Sequence, residues 1–105
     1  MVLNDEIKLL VTTTVEDENL DTIEIRDWVT LGKCAIIQNS SAKRIILNDG
    51  KEYAYSYEVY LRIKNGMEIP NEGDVIHLTK KDKTIDKDCH VAGFVTLKNW
   101  LKVWV

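Results

Sequence analysis

The chain has 105 residues, 17 acidic and 14 basic, with a formal net charge of −3 at pH 7. That length suits one domain around one core and is too short for two. The acidic balance lacks the basic footprint of a nucleic-acid or anionic-lipid binder, and no apolar run approaches the ~20 residues of a membrane span. Five glycines and one proline argue against disorder and against a repeat architecture. The first residues lack the order of a secretion signal. Cys34 and Cys89 are too few for a disulfide framework, so an intracellular setting with free thiols is expected, at least during assembly.

Period-two alternation dominates. Ile7 to Val15 opens as a short helix capped by Asn4 or as a strand. The β-branched run Thr12-Thr13-Thr14-Val15 favours a strand from about Lys8 to Val15. Glu16-Asp17-Glu18 reads as an exposed turn. Thr22 to Leu31 alternates with Ile23, Ile25, Val29 and Leu31 on one face and Asp27 breaking the stripe. Gly32 marks a turn or bulge into the apolar strand Cys34 to Ile37. Arg44 to Leu47, a tip at Asn48-Asp49-Gly50-Lys51-Glu52, and Tyr53 onward read as a hairpin, because Asp-Gly tolerates positive φ.

From Tyr53 to Lys64 the tyrosines 53, 55 and 57 with Val59, Leu61 and Ile63 share one face. At ~3.3 Å per residue this run would span ~40 Å, so it is expected to bend or break. Pro70 belongs outside a central strand, and Gly73-Asp74 supplies the turn before a strand from Val75 to Leu78. Lys80 to Asp88 reads as a solvated hairpin tip. Strands Val91 to Thr96 and Trp100 to Val105 follow. The expected fold is all-β: a small single-domain barrel over residues 1–105, six to seven mostly antiparallel strands with long hairpin loops, closed so that no edge is exposed.

Chemistry is sparse. Cys34, His77, Cys89 and His90 have no metal-ligand spacing, and adjacent Cys89 and His90 point to opposite faces of a strand. Asp82, Asp86 and Asp88 lack the glycine and closing glutamate of a calcium loop. Ser40, Ser41 and Ser56 sit in no nucleophile motif, and neither histidine has an obvious carboxylate orienter. No catalytic residue, metal or cofactor is expected. Trp100 and Trp104 share one face of the last strand, opposite Leu101, Val103 and Val105. With Tyr60 they form a candidate subunit interface, since aromatics are enriched there. Asn48, Asp49, Gly50 and Lys51, and Lys81, Asp82, Lys83, Asp86 and Lys87, are candidate docking or channel-facing loops.

In order, the chain resembles the head-closure (head–tail connector, or minor capsid) proteins of long-tailed phages and their prophage relatives. The resemblance rests on Ile7-Lys8-Leu9-Leu10-Val11 with its threonines and acidic turn, then Lys33-Cys34-Ala35-Ile36-Ile37. It continues through Glu72-Gly73-Asp74-Val75-Ile76, Val91-Ala92-Gly93-Phe94-Val95 and the terminal Leu101-Lys102-Val103-Trp104-Val105. Where some relatives carry a helix after the third strand, Ser40 to Gly50 suggests a hairpin. The resemblance implies a virion-neck subunit, assembled in the host cytoplasm, that forms a ring under the portal and adaptor. The ring retains packaged DNA without sequence-specific binding and docks the tail, with the barrel wall making ring contacts and the loops sealing and docking. The alternative from the residues is an OB-like or other β-barrel binding module for peptide or nucleic acid, whose strand aromatics would be stacking platforms.

Overall fold

A computed structural model describes residues 2–105. The alternating segments all form strands, and no helix occurs among the described residues. In chain order they are β1 Asp5–Glu16, β2 Thr22–Gln38, β3 Arg44–Ile46, β4 Glu52–Ala54, β5 Tyr57–Arg62, β6 Val75–Thr79, β7 Asp86–His90, β8 Gly93–Leu97 and β9 Trp100–Trp104. Seven make one antiparallel sheet, β7-β6-β1-β2-β5-β9-β8, and β3 pairs with β4 as a separate hairpin. The sheet curls into a half-barrel.

Its two edge strands are consecutive in the chain. β7 and β8 run in the same direction, and only Val91 and Ala92 carry the backbone from one edge to the other. The Val91 N–H donates to the Asp74 carbonyl at 2.9 Å and the Ala92 N–H to the Trp104 carbonyl at 2.8 Å, which anchors the step on both sides. The expectation of full closure is corrected here. No ladder joins β7 to β8; one bent strand spans the gap instead.

The inner face is apolar because directly paired residues point the same way. Ile7, Leu9, Ile36, Val59, Leu61, Ile76, Leu78, Leu101 and Val103 are all at most 4% exposed. Gly32, at φ 138°, makes the bulge in β2: Ile7 faces Gly32 and Lys8 faces Thr30, so Leu31 is the extra residue and is buried in the core. The long run from Tyr53 breaks at Tyr55 and Ser56, where the Ser56 N–H donates to the Val105 carbonyl at 2.7 Å. Tyr57 and Ile63 stay against the core, while the Tyr55 hydroxyl donates to Glu58, whose other carboxyl oxygen accepts from Tyr60. Pro70 is buried in the connection after β5, and Gly73 takes φ 85° just before β6.

One buried carboxyl ties the sheet to a turn. Asp5 Oδ2 accepts the Ile36 N–H at 2.9 Å, two residues beyond its ladder partner Cys34, and Oδ1 accepts the Lys81 N–H at 3.0 Å. The side chain thus extends the ladder past the end of β1. Asp5→Ala leaves two donors without partners, each costing ~1–3 kcal/mol when buried. A loss of about 2–5 kcal/mol in urea unfolding is expected; a loss under about 1 kcal/mol would show that water replaces the carboxyl at no cost.

β1 and β2 continue well past the barrel. β6 follows β1 only to Leu9, and β5 follows β2 only from Cys34. The pairs from Thr12↔Arg26 to Glu16↔Thr22 therefore form a lone two-stranded arm, ~17 Å long at ~3.3 Å per residue. It accounts for a molecule measuring 54 × 33 × 29 Å.

Candidate functional site

The arm is the most unusual surface. Its Thr13↔Ile25 and Val15↔Ile23 pairs lie on the same face as Leu9↔Val29, so the core stripe runs outward into solvent. Val15, Ile23, Ile25 and Val29 are all exposed, with Ile25 at 47%. At the tip, the Asp17 carboxyl accepts the Asn19 and Asp21 N–H groups at 2.9 Å, and Leu20 stands 77% exposed at φ 63°. A left-handed backbone is costly for a bulky residue, and solvent exposure wastes its side chain. An apolar stripe rimmed by polar residues marks an interaction surface. Strand alternation alone revealed the stripe, but nothing local in the sequence says that neighbouring strands stop short of it.

The outer face of β5 and β9 brings together the three aromatics expected at an interface. Tyr60 pairs with Lys102, and Trp100 and Trp104 flank it. All three are half-buried. Lys102 Nζ sits 5.2 Å from the Tyr60 ring centroid and 5.0 Å from that of Trp104, and 3.8 Å from Glu58. The Arg62 guanidinium covers Trp100 at 4.5 Å. Bonds from Tyr55 and Tyr60, and the nearby Lys102, outweigh desolvation and hold the Glu58 carboxyl below its ordinary pKa. The aromatic faces thus already carry cations.

The two candidate loops lie apart from these aromatics. Asn48, Asp49, Gly50 and Lys51 make the tip between β3 and β4, with the Asn48 amide donating to Glu72 at 2.8 Å. Lys81, Asp82 and Lys83 lie in the turn between β6 and β7, where Thr84 donates its hydroxyl to Asp82 at 2.6 Å. Asp86 and Lys87 are corrected: they belong to β7, not to the tip. The turn closes earlier because the Lys80 N–H donates to the Ile85 carbonyl at 2.8 Å and Ile85 is buried.

The same correction exposes a pairing that spacing along the chain concealed. His77 faces Asp88 across β6 and β7, and Thr79 faces Asp86. His77 Nδ1 lies 2.6 Å from Asp88 and Nε2 2.6 Å from Asp86, with the Trp28 ring edge-on at 5.9 Å. Both ring nitrogens donate only in the imidazolium. The bonds to Asp88 and then Asp86 hold the His77 pKa above its ordinary value, and the His77 bond holds the Asp86 carboxyl below its own.

The raised histidine stabilises the fold below its unfolded pKa, and that contribution is lost as pH rises through the folded value. The lowered aspartate stabilises above its unfolded pKa and loses this as pH falls through its folded value. His77→Gln should therefore lower the melting temperature most between pH ~4 and ~6.5, with the gap closing on both sides. A gap that widens toward alkaline pH contradicts the assignment.

The remaining reactive groups diverge. Cys34 faces the core, and burial pushes its thiol up to about 12; burial also raises the half-buried Cys89. His90 is exposed at the end of β7. Among the described residues no three His, Cys, Asp or Glu side chains converge to hold a metal ion. Comparison with protein-family models, curated proteins and solved structures found no match.

Proposed function

We propose that this chain is a structural assembly subunit of the tailed-phage neck, of the head-closure kind, which joins into a ring that retains packaged DNA and receives the tail. The observation that carries the assembly role is the arm, whose apolar stripe extends from the core into solvent on a single chain. A free domain gains nothing from such a stripe, whereas a neighbour would bury it. The half-barrel offers the wall of the ring, and the two polar tips offer surfaces that vary without disturbing the core. A net charge of −3 suits a conduit, since a basic lining would hold DNA through counterion release. The binding-module reading has less support, because Arg62 and Lys102 cover the aromatics that would stack on bases.

Disruption of the gene in its phage or prophage tests the proposal, together with mass spectrometry of purified particles. The chain is expected in intact virions, and its loss should give DNA-filled heads that leak or fail to join tails. Normal infectious titres from the disrupted phage, with the chain absent from wild-type particles, overturn the reading.

A further inference from the structure

The arm's charge shows which surface fits its apolar stripe. Residues 16–27 carry six Asp or Glu and one Arg, a net −5, so the rest of the chain carries +2. Two arms laid face to face would set these like charges against each other, which disfavours a symmetrical contact. The opposite sign lies along the β8 edge. Residues 59–67 and 89–105 contain no Asp or Glu and hold Arg62, Lys64, Lys98 and Lys102.

Arg62, Trp100 and Leu97 sit side by side across β5, β9 and β8, and Lys98 lies in the turn after Leu97. Leu97 is 53% exposed. Among the described residues neither Arg62 nor Lys98 forms an ion pair. The corner is therefore apolar, with Arg62 lying on Trp100 and Lys98 beside it, both without a carboxylate partner among the described residues, the complement of an apolar arm with carboxylates around it. Direction agrees as well: β5 and β8 run parallel to β1, so Arg62 and Leu97 end their strands on the side toward which the arm projects. A lateral neighbour in the same orientation presents this corner to the arm.

We propose that the arm of one copy docks on the β8–β9 corner of the next, with Ile23 and Ile25 against Leu97 and Trp100, and Asp21 and Asp27 against Lys98 and Arg62. The contact is heterologous, so it repeats from copy to copy and gives a ring where the rotation closes. It rests on the neck-subunit reading for the ring itself, but its test needs only the purified chain.

Sedimentation velocity of the full chain over rising concentration, in low and high salt, measures it. Wild type should associate, and less so in high salt. Ile23→Glu with Ile25→Glu, and separately Arg62→Glu with Lys98→Glu, should each move association to at least ~10-fold higher concentration while the melting curve stays unchanged. Adding Asp21→Lys and Asp27→Lys to the Arg62→Glu, Lys98→Glu chain should restore it. A wild type that stays monomeric throughout overturns the docking, and so does association indifferent to Arg62 and Lys98. Absence of the chain from virions with association intact overturns the neck reading alone.

Discussion

Removing residues 101–105 is expected to abolish cooperative folding. β9 is an interior strand, hydrogen-bonded to β5 on one side and β8 on the other. Leu101, Val103 and Val105 are all buried, worth ~1.5–3 kcal/mol each, in a domain stable by only ~5–15 kcal/mol. The truncation also strips β8 of its only ladder and takes away the Val105 carbonyl that accepts the Ser56 and Tyr57 N–H groups. Circular dichroism and a thermal melt check this, and a sharp transition near the wild-type temperature refutes it. Leu101→Ala alone should cost ~2–5 kcal/mol, the range for a large aliphatic truncated in a core.

Trimming the arm should have the opposite character, leaving stability intact while assembly is lost. Residues 13–25 can be replaced by Asn-Gly between Thr12 and Arg26, which already face each other across the ladder, and a two-residue turn closes such a pair. Apart from the half-buried Asp17, the removed side chains are exposed and no third strand among the described residues flanks them, so the melting temperature should move by only a few degrees, under about 1 kcal/mol. If the proposed docking and neck role hold, purified trimmed protein should not associate, and phage carrying it should give no infectious particles. Wild-type titre from the trimmed phage would remove the arm from any part in assembly.

Much of the fold is legible because it follows from alternation and turn chemistry. The stripes of β2 and β5, the Asp49-Gly50 tip and the Gly73-Asp74 turn depend on residues within a few positions of one another. What is not legible depends on register. β7 has the sequence Asp86-Lys87-Asp88-Cys89-His90, too charged to read as a strand. It forms because Asp86 and Asp88 face out beside His77, while Cys89 turns in opposite Ile76 and Lys87, opposite Leu78, reaches over the Tyr57 ring. The same register turns two apparently solvated aspartates into the partners of a histidine. The aromatic cluster was legible in its membership, since Trp100 and Trp104 share a face by spacing. The cover of Trp100 was not, because Arg62 lies on another strand. That the apolar stripe from Leu9 to Val15 leaves the core partway along is a matter of where β5 and β6 end.

The position of the last strand also sets an order of events during synthesis. β9 sits between β5 and β8, yet it is made after every other strand of the sheet. Until then the strands made from residues 5–90 present an uncovered apolar face, and the bent strand through Val91 and Ala92 has nothing to pair with on its β8 half. The β8–β9 hairpin is local and forms quickly, but docking it against β5 joins segments far apart in the chain, Arg62 to Trp100 and Glu58 to Trp104, and waits on the last strand. Completion of the domain is thus a single late event, and a nascent chain stalled before Trp100 is an aggregation hazard rather than a partly finished domain.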